Sequence, residues 1–205
     1  MTAGTVILWR HGQTDYNAAR RLQGQSDIPL NHAGVRQADL AATALAALEP
    51  TRIITSDLDR AVSTAQALAN RTGLQPSADA RLRERSFGEW EGLTQEQIKA
   101  SWPEAFAAWR QGREPEGVGA ETRRDCATRV AAAVQEAAAE LDDGDVLVVV
   151  GHGAAITLGQ TAMLGLDPGS WFGLTGLENS GWTLMHPNPG REPGWRLSAY
   201  NLGLD

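Results

Sequence analysis

Two rhythms of apolar residues alternate along the chain. Short unbroken runs occur at Thr5–Arg10 (TVILWR), Arg52–Ser56 (RIITS) and Val146–Val150 (VLVVV). Runs this short, rich in β-branched residues and bounded by turn formers, predict strands. A fully apolar run such as VLVVV predicts a strand buried on both faces, at the centre of a parallel sheet. Elsewhere apolar residues recur every three or four positions, the helical period. Val35, Ala38, Ala42, Leu45 and Leu48 predict a helix capped by Asn31 and stopped by Pro50. Leu58, Ala61, Val62, Ala65, Leu68 and Ala69 predict a second, ending at Gly73. Ala127, Val130, Val134 and Leu141 predict a long amphipathic helix running to the turn DDGD, and GHGAAITLGQTAML leads into another. Residues 76–80 read as a short strand, and the segments around 180–186 and 194–200 as late strands. The stretch 81–120 is irregular, with helical pieces near 94–101 and 103–111 and a loop, GREPEGVGAE, rich in Gly, Pro and Glu. No repeat, linker or low-complexity tract interrupts the pattern. Strands alternating with helices predict a three-layer α/β/α fold around a mostly parallel central sheet. At 205 residues, a single domain spanning 1–205 is the expectation.

Composition narrows the function. Apolar and charged contents of 42% and 21% are those of an ordinary soluble globular protein. No stretch approaches the roughly 18 apolar residues needed to span a bilayer. TVILW is too short and too early for a secretory signal, with no polybasic region before it, so the expected location is cytoplasmic. A net charge of −7 argues against nucleic-acid binding, and any anion site must be built locally against that field. The lone cysteine, Cys126, allows no internal disulfide and is expected as a small buried apolar residue. Of 18 basic residues only Lys99 is lysine, and it lies in a polar helical stretch. Schiff-base chemistry and a P-loop both need a placed lysine, and no P-loop motif occurs.

Two of the four histidines occupy matching places. His11 follows VILWR and His152 follows VLVVVG; each stands at the carboxyl end of a predicted central strand, with a glycine after it. That edge of an open α/β sheet is where ligands bind. His32 and His186, in polar or Pro/Gly-rich context, are expected at the surface. GHGAA does not complete a G-x-G-x-x-G turn, because Ile156 stands where Gly or Ala is required. What survives is a glycine turn feeding a helix whose free N–H groups favour an anion. In SDLDRAVSTA, Arg60 falls in the first helical turn at the sheet edge. It is either a fork donor aimed at an anion or a surface residue, with Asp57 as a helix cap. A third reading, the D-x-D nucleophile of magnesium-dependent aspartate phosphatases, lacks Thr or Val at Ala61, a downstream lysine and a second acidic pair. Glu84, among Arg81, Arg83 and Arg85, would act as a general acid if it faced a cleft with its pKa raised. The alternative is an ordinary surface carboxylate. Glu89 and Glu91 are expected to be solvated. Cys126 is no phosphatase nucleophile, because C-x5-R would need arginine where Ala132 stands. With no H-E-x-x-H or Cys/His cluster, no metal site is expected.

RHGQTDYN, SDLDRAVSTA, LRERSFGEWEG and GHG, in this order, resemble the histidine phosphatase superfamily, whose fold is phosphoglycerate mutase-like. The resemblance covers nearly the whole chain. SDL.RA..TA, RTGL, RLRE...G.W.GLT..QI and the late WRL...N bring it nearest to the actinobacterial glucosyl-3-phosphoglycerate phosphatases. It implies a metal-independent phosphomonoesterase, without cofactor, acting through a phosphohistidine on a small phosphorylated metabolite. His11 is then the nucleophile. Arg10, Arg60 and His152 bind the phosphate oxygens, and Asn17 adds a hydrogen bond. Gln23, Gly24 and Gly153 join the substrate-binding set. Glu84 protonates the leaving oxygen and then activates water. The chemistry is consistent, since phosphoryl transfer needs positioning and charge neutralisation above all. The same cations should disfavour protonation of His11, and a side chain at Gly12 should crowd the backbone against the phosphate.

Trp9 and Gly151 depart from the residues usual before the motif arginine and the second histidine, but neither removes a reacting group. RSFGEWEG stands where mutases carry an R-H-Y-G-like run, and the long mutase insertion is missing, so hydrolysis is favoured over mutase chemistry. A broad-specificity acid phosphatase, a phosphoglycerate mutase and a non-catalytic phospho-ligand binder remain the alternatives. Trp90, Trp102 and Trp109 either wall a sugar site or pack a core. Glu121 is expected near the pocket. Nucleic acid and membrane are not expected partners, and a homodimer would be common for the family.

Overall fold

The computed structural model, which describes residues 2–203, alternates strands and helices from its first element. In chain order these are β1 (Thr5–Arg10), the four-residue α1 (Asp15–Ala18), α2 (His32–Ala46), β2 (Arg52–Thr55), α3 (Asp59–Thr72) and β3 (Ser77–Ala78). Then follow α4 (Gln95–Ser101), α5 (Pro103–Arg110), α6 (Arg123–Ala139), β4 (Val146–Gly151), α7 (Gly153–Met163), β5 (Trp182–Pro187) and β6 (Trp195–Leu202). The sheet order is β3-β2-β4-β1-β5-β6. The first four strands in that order run parallel, while β5 and β6 pair antiparallel. The mostly parallel three-layer α/β/α expectation therefore holds. Only β5 runs against the others; β6 turns back again through the short β5–β6 connection and so points the same way as β1.

The alternation inside β1 and β4 explains their unbroken hydrophobicity. Val6, Leu8, Leu147 and Val149 face a core shared with α6 and α7. Ile7, Trp9, Val148 and Val150 face a second core shared with α2 and α3. With helices on both faces, residues 6–9 of β1 and 147–151 of β4 are all buried, and each large side chain so buried contributes about 1.5–3 kcal/mol. Trp9 is fully buried and donates its Nε1–H to the Ser180 carbonyl at 3.1 Å, so its bulk is accommodated.

The helices bury most of the expected residues, with α2 departing at its two ends. Asn31 caps α2 by accepting from the Gly34 N–H at 2.9 Å. Yet Val35 and Leu48 are 55% and 42% exposed, and the buried face is Gly34, Ala38, Ala41, Ala42 and Leu45. Small residues let α2 lie close to the sheet, leaving Val35 and Leu40 on its outer side, while Leu48 lies past the end of the helix at Ala46. Gly12 has a related cause: an added Cβ there would stand 2.3 Å from the Gly34 carbonyl oxygen. Packing against α2 therefore requires this glycine, which corrects the expectation that it makes room for phosphate. α6 ends at Ala139, so Leu141 lies past its last turn, partly buried against the core. Cys126 is buried, as expected, and burial raises its thiol pKa. A third cluster of Phe87, Trp90, Ile98 and Val118, with Trp102 and Trp109 packed on it, is formed by the irregular segment and its two short helices. No helix among the described residues is long and apolar enough to cross a membrane.

Candidate active site

Three strand tips meet at one edge. Arg10 lies opposite Gly151, so His11 and His152 emerge side by side, and His11 donates its backbone N–H to the Gly151 carbonyl at 3.0 Å. Their rings sit 5.2 Å apart, edge to face. On the other side of β4, β2 ends at Thr55, and α3 starts soon enough to place Arg60 beside His152. Arg60 is completely buried. It donates from Nη1 to the Ser26 carbonyl and from Nη2 to the Gly24 carbonyl, both at 2.8 Å, and from Nε to His152 Nδ1 at 3.2 Å. The surface reading of Arg60 is therefore excluded. Asp57 is no cap either: it pairs with Arg83 at 2.7 and 2.8 Å, and Leu58 occupies the cap position.

These bonds assign the imidazole protons. His11 Nδ1 lies 2.6 Å from the Gly12 carbonyl, which can only accept, so Nδ1 carries the hydrogen and Nε2 the lone pair. His152 is the reverse. Its Nδ1 accepts from Arg60, so Nε2 is a donor, buried and without a protein partner. Arg10 spends Nη1 on the Leu177 carbonyl at 2.5 Å, but its Nε is likewise buried and unpartnered. Orphaned buried donors each cost about 1–3 kcal/mol, and an anion with several acceptor oxygens removes that cost. Burial first, then Arg10 and Arg60, holds His11 well below its ordinary value of 6.5, with the Gly12 carbonyl opposing. Burial, then Arg60, His11 and Arg10, does the same to His152. In both cases the direction favours the neutral imidazole.

The sign of that depression yields a prediction. The unfolded chain takes up protons on these histidines below about 6.5 whereas the folded chain does not. Stability present above that pH is therefore lost as pH falls toward the depressed folded values. The acid-side fall of kcat/KM should lie below the ordinary histidine value of 6.5, once the substrate phosphate's own ionisation near about 6 is corrected for. A pH–rate profile whose acid limb is centred at 6.5 or higher would contradict a neutral, buried His11.

A cavity of about 400 Å³ opens on this edge, lined by Arg10, His11, Asn17, Gln23, Gly24, Arg60, Glu84 and Gly153. Every residue the sequence singled out for the site is thus brought together, except that His152 lies behind the lining, against His11 and Arg60. Asn17 takes part in a capping box with Thr14, and its Oδ1 also accepts from Asn179, whose Nδ2 reaches the His11 carbonyl as well. Gln23 Oε1 accepts from the Thr14 hydroxyl at 2.9 Å. Gly24 has φ +54° and offers its carbonyl to Arg60. A Cβ at Gly153 would press on the Arg10 guanidinium at 3.3 Å.

Glu84 sits at the amino end of α7. Its Oε1 accepts from the N–H groups of Ala155 and Arg85, both at 2.8 Å, and its Oε2 from that of Ala154 at 3.1 Å. The free N–H groups and positive end of the helix fix the carboxylate there. Its chain segment is clamped by a residue the sequence reading passed over. Arg129 donates to the carbonyls of Arg81, Arg83 and Glu84 at 2.6–3.0 Å and pairs with Glu121 at 2.6 and 2.7 Å. The available signal was a charge on an apolar face, since Arg129 falls three residues after Cys126 and four before Ala133, both buried. Glu121 is consumed by this pair and does not line the cavity, contrary to expectation.

Glu91 is a second correction. Half-buried rather than solvated, it accepts from the N–H groups of Gln25, Ser26 and Phe87 and from the hydroxyls of Ser26 and Ser86. It thereby holds the loop whose carbonyls grip Arg60. Glu89 is exposed, as expected. His32 is exposed too, but His186 is half-buried, with Nδ1 2.9 Å from the Gly4 carbonyl. Trp90 is fully buried in the third cluster, and Trp102 packs on it. Trp109 both packs there, edge to face on Trp90 at 5.8 Å, and lines the cavity. No group of three or more His, Cys, Asp or Glu side chains placed to hold a metal ion occurs among the described residues.

The family model described as the histidine phosphatase superfamily (branch 1) matches residues 6–202. A glucosyl-3-phosphoglycerate phosphatase of Mycobacterium tuberculosis is 40% identical over 98% of this chain and 96% of its own length. A probable phosphoglycerate mutase of Yersinia enterocolitica is 39% identical over 80% of this chain and 76% of its own. Among solved structures, mycobacterial glucosyl-3-phosphoglycerate phosphatase in complex with VO3 superposes with a TM-score of 0.87 at 40% identity, covering 96% of this chain and 98% of that one.

Proposed function

The chain belongs to the histidine phosphatase superfamily, and we propose that within it the protein hydrolyses glucosyl-3-phosphoglycerate, or a closely related small phosphorylated metabolite, through a phosphohistidine on His11. The observation that carries this reading is the pairing of a free His11 Nε2 with the orphaned donors of Arg10 and His152. The lone pair of Nε2 forms the bond to phosphorus as the bond to the ester oxygen breaks. Glu84 in its protonated form gives its proton to that oxygen. The hydrogen on Nδ1, held by the Gly12 carbonyl, lets the imidazole carry the positive charge that develops. Water then attacks the phosphohistidine, Glu84 takes the water's proton, and inorganic phosphate leaves. Throughout, Arg10, Arg60 and the His152 Nε2–H bind the phosphoryl oxygens, with Asn17 adding a hydrogen bond. Cations fixed at the sheet edge need little reorganisation in the transition state.

Trp109, at the cavity wall, offers an aromatic face to a sugar. A one-domain subunit spanning 1–205, a homodimer and a cytoplasmic location complete the proposal; sedimentation and cell fractionation test the last two.

The deciding experiment compares kcat/KM for glucosyl-3-phosphoglycerate, 3-phosphoglycerate, α-ribazole phosphate and p-nitrophenyl phosphate, with mutase activity assayed in parallel. The first substrate should lead and the mutase rate should be negligible. Activity should survive EDTA, since the chain supplies the neutralising cations itself. Loss in EDTA with recovery in magnesium would end the metal-independent reading, and faster isomerisation than hydrolysis of 3-phosphoglycerate would make the protein a mutase.

A further inference from the structure

The cavity carries more positive charge than a phosphate needs. Five arginines line it, Arg10, Arg21, Arg60, Arg85 and Arg123, against one carboxylate, Glu84. Arg10 and Arg60 belong to the bay around His11. Arg85 is paired, its Nη2 lying 2.5 Å from Glu114. Arg21 spends Nη1 on the Gly92 carbonyl at 2.6 Å and on Gln97. Arg123 differs from all of these. Its Nε donates to the Pro168 carbonyl at 3.0 Å, but neither Nη atom has an acceptor and no carboxylate pairs with it among the described residues.

The guanidinium is nonetheless held in place. It lies over the Phe172 ring, 4.2 Å from the centroid, and its backbone N–H is tied to Glu114 Oε1 at 2.9 Å. Burial lowers its pKa, and the neighbouring Arg85 lowers it further. The nearest compensating charge, Glu114, is already committed to Arg85. The chain thus keeps a half-buried, tethered cation beside another cation, with both Nη atoms free, in a side chain that lines the cavity of His11 and the adjoining pocket walled by Phe172. Such an arrangement costs stability unless an anion completes it. A planar fork with two free Nη atoms is shaped for a carboxylate gripped by both oxygens.

We propose that Arg123 is a carboxylate-binding subsite, which makes the enzyme selective for phosphomonoesters that carry a second anionic group on the alcohol being released. In glucosyl-3-phosphoglycerate that group is the glycerate carboxylate. The inference rests on the phosphatase reading above, but not on the sugar.

Its test is a matched pair of substrates. 3-Phosphoglycerate and glycerol 3-phosphate differ by a carboxylate against a neutral hydroxymethyl, and glucosyl-3-phosphoglycerate is assayed beside them. In Arg123→Gln the ratio of kcat/KM for 3-phosphoglycerate over glycerol 3-phosphate should fall by about tenfold or more, mainly through KM, as expected for one lost charge-assisted pair. Arg123→Met, which keeps an apolar stem against Phe172, should lower the ratio equally and stands in if the glutamine variant does not fold. An unchanged ratio, or an equal fall for both substrates, would overturn the subsite and leave Arg123 a packing residue. An enzyme that ignores the glucosyl substrate yet shows the Arg123-dependent ratio would refute the sugar reading and keep the subsite.

Discussion

His11→Ala will fold, bind phosphate and turn nothing over. The imidazole is almost wholly buried, and its only described side-chain bond is the short one from Nδ1 to the adjacent Gly12 carbonyl. Deleting it leaves that carbonyl oxygen short of a partner, at about 1–3 kcal/mol, and removes a polar ring from a desolvated place. For a chain of this size each kcal/mol moves Tm by about 2–4 °C, so a modest drop in Tm is expected. The phosphate donors survive: Arg60 still holds His152 by Nδ1, and Arg10 is anchored by the Leu177 carbonyl. Inorganic phosphate should therefore still inhibit or bind within a few-fold of wild type. Turnover should fall by about four orders of magnitude or more, the scale seen when the nucleophile of a preorganised site is removed. Rapid quench with labelled substrate should trap an acid-labile phosphoenzyme in the wild type and none in the variant. Near-normal turnover, or a phosphoenzyme that persists, would remove His11 from the role of nucleophile.

On the proposed mechanism Arg60 serves both catalysis and stability, and its replacement should damage both. Its guanidinium joins three groups that no other residue reaches in the same way: the carbonyls of Gly24 and Ser26 and the Nδ1 of His152. Arg60→Leu would orphan all three in a buried place, at about 1–3 kcal/mol each. Set against a total stability of about 5–15 kcal/mol, that sum brings the chain near unfolding. Arg60→Lys is the informative variant. The ammonium keeps the charge but cannot reach both carbonyls and the imidazole from one planar fork. Without the Nε–H donor, His152 loses the bond that fixes its tautomer, so its Nε2 no longer reliably offers a hydrogen to the phosphate. The expected result is a Tm lower by about 5–10 °C and a kcat/KM lower by about a hundredfold to a thousandfold, the loss typical of one preorganised donor. Calorimetry and steady-state kinetics on the same preparation check both. A lysine variant with wild-type kcat/KM would mean that Arg60 is only a structural tie.

Much of the site could be read from strand tips and motif order. His11 and His152 each followed a buried run, and a parallel pair in register must bring two such tips together. Glu84 was legible only as a candidate, because its segment has no periodicity and its place depends on α7 presenting free N–H groups to it. Arg129, Glu91 and Arg123 are polar residues with key partners far away in sequence: the Arg81, Arg83 and Glu84 carbonyls for Arg129, the Gln25 and Ser26 N–H groups for Glu91 and the Pro168 carbonyl for Arg123. Local pattern carries no information about such partners. Gly12 was noticed for the wrong reason: its neighbour is the backbone of α2, a contact that exists only once the helix docks. Val35 and Leu48 fit a helical period, yet docking through alanines left them outside.

By itself the sequence indicated where strands and helices lie, that both sheet faces are covered, and which histidines, arginines and glutamate were candidates for one edge of the sheet. Each of these is written in local periodicity or in the identity and order of a few motifs. The tertiary structure alone decided which nitrogen of each histidine bears the proton, that Arg60 is held by two carbonyls and an imidazole, and that Arg123 is left with its fork free. Those properties depend on which donors and acceptors come within about 3 Å of one another across the fold, and on how much water is excluded around them. Neither is fixed until distant segments pack.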